Sequence, residues 1–126
     1  MSYILVGLGG AFGAMGRFGI GQLIMRLGLT GWPFATLAVN IVGSFIMGLV
    51  IALLARHTPD WSHSARLLVA TGFCGGFTTF SAFSLDFISL YERGQTMSAL
   101  LYVGLSVILS IAALFAAMAL VRGSAI

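Results

Sequence analysis

The chain has 126 residues, of which 60% are hydrophobic and 7% charged, and its mean hydropathy is +1.09. A soluble domain carries roughly a quarter charged residues, and one this small buries only about 60–70% of the surface its unfolded chain exposes. So much apolar surface excludes a soluble fold, and a net charge of +3 spread over six scattered arginines argues against nucleic-acid binding.

The charged residues mark out the spans. A membrane-crossing helix needs about 20 apolar residues, and four segments meet that requirement: 3–26, 33–55, 65–91 and 96–121. Together they predict an all-α integral membrane protein with a single four-helix transmembrane domain over residues 1–126. In the first segment only Arg17 interrupts the apolar run. Without a basic leading region, and with an apolar run longer than a signal core, it reads as a span and not as a secretory signal. Gly9 and Gly13 form a GxxxG step, continued by Gly16 and Gly21, so this helix is expected to pack closely on a neighbour.

Trp32 and Pro33 open the second segment, the ring suited to the interface and the proline to a first helical turn. Thr36, Asn40, Ser44 and Gly48 recur every four residues, which keeps them on one face. Asn40 is the telling member, because an amide in the middle of a span must be satisfied. The connection at 56–64 holds Pro59 as helix punctuation, and His57 and His63 with Asp60, read as ordinary solvated residues.

The third segment contains the unusual run Gly72-Phe73-Cys74-Gly75-Gly76-Phe77-Thr78-Thr79-Phe80-Ser81. Paired glycines followed by paired β-branched threonines are poor helix formers. The run predicts either a kink healed by threonine hydroxyls or a mid-membrane break. A break would expose backbone carbonyls, good ligands for a hard cation such as Na⁺. The lone Cys74 reads as a small packed residue. Phe77, Phe80, Phe83 and Phe87 follow as a stripe whose positive ring edges suit a small anion without trapping it. In the fourth segment Tyr102, Ser106 and Ser110 again share a face.

With four spans, the 56–64 connection shares a side with both termini. Arg56, Arg66 and Arg122 then stand against Arg26, Arg93 and Arg17, three on each side. Arginine bias, which normally sets orientation, is balanced. Either a single arginine decides, or the chain inserts both ways and pairs antiparallel about a two-fold axis in the membrane plane.

Three stretches are similar to the Fluc (CrcB) family of fluoride channels: Gly9-Gly10-Ala11-Phe12-Gly13-Ala14-Met15-Gly16-Arg17, Thr36-Leu37-Ala38-Val39-Asn40-Ile41-Val42-Gly43-Ser44-Phe45, and Gly75-Gly76-Phe77-Thr78-Thr79-Phe80-Ser81-Ala82-Phe83-Ser84. Ala35 and Ala82 depart from the Gly and Thr often found there, and Asp86 stands where Glu is frequent. The resemblance covers essentially the whole chain. It implies a dual-topology antiparallel homodimer in the inner or plasma membrane, passing fluoride passively out of the cytoplasm. The pore would use Asn40, Thr79, Phe80, Phe83, Tyr102, Ser106 and Ser110, with Arg17 at a vestibule. It further implies a structural Na⁺ at the dimer interface, held by the backbone carbonyls of Gly75 and Thr78. No catalytic constellation or ATP motif is present, as expected for a channel and not an enzyme. The alternative is a proton-coupled small multidrug exporter. Such exporters carry an acid in helix one, where this chain has Arg17 and none.

Overall fold

The computed structural model describes residues 1–123. Helix α1 spans Ser2–Arg26 and α2 spans Phe34–His57. Helix α3 covers 62–77 in three stretches, Ser62–Ala65, a π-helical Arg66–Cys74, and Gly75–Phe77. The helical backbone lapses at Thr78, which is extended (φ −83°, ψ 160°), and resumes as α4, Ser81–Glu92. Helix α5 spans Thr96–Arg122. Taking α3 and α4 as one rod, four helices are long and apolar enough to cross a membrane.

Helices α1 and α4 stop by the same device. Gly28 (φ +75°) and Gly94 (φ +78°) adopt the left-handed conformation that glycine tolerates best. The turn after α1 is closed by Leu29 N–H donating to Ile24 O and Gly28 N–H to Met25 O. After α4, Gln95 N–H donates to Leu90 O and Gly94 N–H to Tyr91 O. These paired bonds satisfy carbonyls that a helix end otherwise leaves orphaned, and they turn the chain back sharply.

Two close helix pairs make the protomer: α1 lies along α3, and α2 lies along α5. Both depend on missing side chains. A Cβ on Gly9 would overlap the Leu68 carbonyl, and one on Gly76 would overlap the Gly10 carbonyl. Across the other pair, a Cβ on Gly48 would stand 2.9 Å from Ala117 Cβ. Backbones this close gain dispersion contact without any hydrophobic drive, the mode of association available in lipid. Of the small residues on α1, Gly9 and Gly13 are buried, whereas Gly21 meets nothing within 4 Å. It makes no close backbone contact of the Gly9 kind within the protomer.

The buried core is thin, centred on Leu90, Ala99 and Tyr102 with Trp32, Leu37, Phe83 and Phe87 around them. Large apolar side chains point outward along every span, among them Phe12, Phe18, Ile108 and Phe115. In water this surface would be untenable; in a bilayer it is the solvated face.

The phenylalanine stripe is not continuous. A helix unbroken from 65 to 91 would align Phe77 with Phe80 and Phe83, but the lapse at Thr78 turns them apart. Phe77 is buried and stacks on Phe73 with ring centroids 5.4 Å apart, whereas Phe80 is 78% exposed.

Candidate functional site

The interruption after Phe77 is held by a reciprocal clamp. Asn40 Nδ2 donates to the Thr79 carbonyl at 3.1 Å, and Thr79 N–H donates back to Asn40 Oδ1 at 2.9 Å. The amide replaces a helical bond at each end and explains why this polar residue sits mid-helix in α2. Thr79 Oγ1 then accepts the Ala82 N–H at 3.1 Å, starting α4 as a cap would. Thr78 Oγ1 bonds the Cys74 carbonyl at 2.7 Å. Threonine hydroxyls therefore heal the two lips of the gap, and yet the gap exists.

Arg17 reaches the same place, its Nε donating to the Gly76 carbonyl at 3.2 Å. A guanidinium inside a span needs a partner, and the lapse supplies a carbonyl that a continuous helix would have used itself. Thr78 N–H goes to Cys74 O and Thr79 N–H to Asn40, so neither returns to the Gly75 carbonyl. Ala82 N–H goes to Thr79 Oγ1, leaving the Thr78 carbonyl without its helical donor. The two carbonyls named for a cation are thus unclaimed by the helix, while the adjacent one, Gly76, is taken by Arg17.

Beside the gap lies a cavity of about 360 Å³ between α2, the α3–α4 gap and α5. Its polar wall comprises Asn40, Ser44, Thr78, Thr79, Ser106 and Ser110, and its apolar wall includes Phe80 and Phe83. No charged side chain lines it. Ser106 is the informative group: the residue is 5% exposed, and its Oγ makes no hydrogen bond of ordinary geometry among the described residues, although the Tyr102 hydroxyl is nearby. A buried hydroxyl left unpaired costs about 1–3 kcal/mol, so it marks a place where a partner is expected.

Of the residues assigned to a pore, the structure gathers Asn40, Thr79, Phe80, Phe83, Ser106 and Ser110 on this cavity. Tyr102 stands apart from its lining. It is fully buried, its hydroxyl donates to Asp86 Oδ2 at 3.1 Å, and its ring meets Trp32 edge-on at 5.3 Å and Phe83 at 5.2 Å. Thr36 likewise leaves the row, facing a neighbouring recess with Asp86. Sequence spacing put Tyr102 and Thr36 on the polar faces but did not show Asp86 as the acceptor for Tyr102 or as Thr36's neighbour in the recess. The available signal was the acid itself, inside a span and in need of a donor. Met47, Val107 and Leu114, which complete the cavity, carry no such signal.

Comparison with known proteins identifies the family. Residues 4–118 match the family model described as CrcB-like protein, Camphor Resistance (CrcB). The chain is 51% identical over 122 residues to a Rhizobium johnstonii protein named fluoride-specific ion channel FluC, with 97% of each chain covered. It is 50% identical over 118 residues to the protein of that name in Agrobacterium fabrum, with 94% of each covered. It is also 50% identical over 113 residues to the one in Hyphomonas neptunium, covering 90% of this chain and 89% of the relative.

Proposed function

This chain belongs to the CrcB-like family, and from that membership together with its cavity we infer that it is a multi-pass membrane channel for fluoride, not an enzyme. The observation that carries the reading is the orphaned Ser106 hydroxyl in an uncharged, donor-lined cavity. Fluoride must shed tightly held water to cross apolar surroundings, and hydroxyl and amide donors replace it. A lysine or arginine in the wall would hold the ion; neutral donors and ring edges release it. Asn40 spends one amide N–H on Thr79, and its second N–H remains for the ion.

The same wall weighs against a multidrug exporter. A cationic drug would find no carboxylate in this cavity. Asp86 lies outside its lining and is engaged by Tyr102.

In this reading the protomer is half of a pore unit, and two copies pair antiparallel in the inner membrane with the interrupted helices at mid-depth. Phe80 is too exposed to complete an aromatic wall alone, and Gly75 is exposed with nothing within 4 Å of its Cβ direction. Both features suit a face that a second copy covers. The Gly75 and Thr78 carbonyls of the two copies would hold Na⁺, and the absence of a carboxylate there favours a monovalent ion. When bound, Na⁺ supplies a fixed positive charge that steadies nearby fluoride. Arg17, at the rim of the gap, adds attraction for anions. A membrane potential of 100 mV, negative inside, favours efflux by about 2.3 kcal/mol per charge, or roughly 50-fold in concentration, so no energy coupling is required.

Ser106→Ala tests the cavity. Removing an unpaired hydroxyl should leave folding stability within about 1 kcal/mol of wild type. Fluoride efflux from liposomes should fall about tenfold, the equivalent of one hydrogen bond to an ion. Unchanged efflux would contradict the assignment. Dual topology has its own test. The Arg56 guanidinium bonds the Val121 carbonyl at 2.7 Å, so the 56–64 connection and the end of α5 do share one end of the bundle. A C-terminal tag should be labelled from both faces of the membrane in comparable amounts, and two or three lysines added to the 56–64 connection should shift it to one face. Labelling of the unmodified chain from one face only would refute the antiparallel pair.

A further inference from the structure

At the end of the bundle that carries the 56–64 connection lies a second recess, which the fluoride reading does not use. It measures about 270 Å³ and is lined by Leu54, Ala55, Thr58, Ser62, His63 and Arg66. Two hydroxyls, an imidazole and a guanidinium face it, and no carboxylate does among the described residues; Asp60, in the same connection, is not part of the lining. His63 and Arg66 are three residues apart at the start of α3, hence on one helix face. Thr58 adopts a left-handed backbone (φ 36°), a conformation that a β-branched residue rarely takes. Its N–H donates to the Leu54 carbonyl at 2.9 Å, so the end of α2 does not leave that oxygen bare at the recess.

Depth says what meets this recess. Helix α3 begins at Ser62, and the exposed Trp61 precedes it, an indole of the kind that favours the level where bilayer meets water. Arg66 follows about one turn into the helix, so with the indole at that level its long side chain reaches the headgroup layer. Basic recesses between transmembrane helices at this level suit anionic lipid headgroups.

We propose that the recess binds the phosphate of an anionic phospholipid. The Arg66 guanidinium offers a forked pair of N–H donors to phosphate oxygens. Thr58, Ser62 and His63 add donors around it, and Leu54 and Ala55 meet the glycerol. Ligand clefts generally run about 300–1,000 Å³, so a recess just below that range takes the headgroup and leaves the acyl chains in the bilayer. The bound lipid ties the 56–64 connection to the membrane surface and fixes the depth of α3, hence of the gap beyond it.

The test titrates the full-length purified protein with phosphatidylglycerol or phosphatidylcholine and counts retained lipid by native mass spectrometry. Wild type should retain phosphatidylglycerol in preference to phosphatidylcholine. Arg66→Gln should weaken that retention about 5- to 10-fold, whereas Arg122→Gln, at the same end but outside the lining, should not change it. Should Arg66→Gln not be recovered folded, Ser62→Ala carries the same test with an expected loss of about threefold. Millimolar inorganic phosphate should leave the lipid bound. No lipid preference, equal losses in the Arg66 and Arg122 variants, or displacement by free phosphate would each overturn the proposal.

Discussion

Asn40→Asp is expected to cut fluoride efflux by about 10²-fold or more while the protein still assembles. The reason is the clamp. Asn40 both accepts from Thr79 N–H and donates to Thr79 O, bridging the gap between α3 and α4. Aspartate keeps the acceptor and loses the donor, so one carboxylate oxygen faces the Thr79 carbonyl with no proton between them. Among the described residues no basic side chain lines the cavity to pair with the new charge, and an unpaired buried charge costs about 3–5 kcal/mol. An anion entering beside that carboxylate is repelled as well. The measurement is efflux from proteoliposomes by fluoride electrode, with size-exclusion chromatography confirming assembly. Wild-type efflux from a correctly assembled variant would remove Asn40 from the pathway.

Exhaustive removal of Na⁺ is expected to weaken the paired protein and to slow fluoride together. The Gly75 and Thr78 carbonyls have lost their helical donors to Asn40 and to Thr79 Oγ1, and unclaimed carbonyls inside a membrane protein need a partner. A bound ion stabilises by its occupancy: Na⁺ at 100 times its dissociation constant contributes about 2.7 kcal/mol, all of it lost when the site empties. Because only backbone atoms would bind the proposed ion, Thr78→Ser should keep the effect of Na⁺ and Gly75→Leu should abolish it. Fluoride efflux and thermal dissociation are compared in Na⁺ and in a large organic cation after long equilibration. Identical behaviour in both would remove the sodium site and leave the fluoride reading standing.

Much of this was legible in the residues. The spans could be read because arginines and the Pro33 turn punctuate long apolar runs, and membrane helices must satisfy every backbone group internally. The weak point of the third rod was visible in Gly75-Gly76 and Thr78-Thr79, which have low helix propensity. What escaped depends on pairings distant in sequence. Arg17 lies 59 residues from the Gly76 carbonyl it bonds, and no periodicity reports that contact. The π-helical stretch Arg66–Cys74 carries no mark that distinguishes it from an ordinary helix. The phenylalanine stripe misled for a definite reason: spacing counts residues along a continuous helix, and the lapse at Thr78 resets the count between Phe77 and Phe80. Asp86 was legible as an acid in a span but not as the acceptor for Tyr102, because that pairing arises only when α4 and α5 fold against each other.

Fluoride conduction by the wild-type chain is the claim on which the rest depends. The most direct measurement reconstitutes the purified protein in liposomes loaded with equal fluoride and chloride, then opens a potassium diffusion potential and follows both anions with ion-selective electrodes. Fluoride should leave rapidly without ATP or a proton gradient, while chloride stays behind. Retention of fluoride at the rate of protein-free liposomes, or loss of both anions at equal rates, would contradict the account.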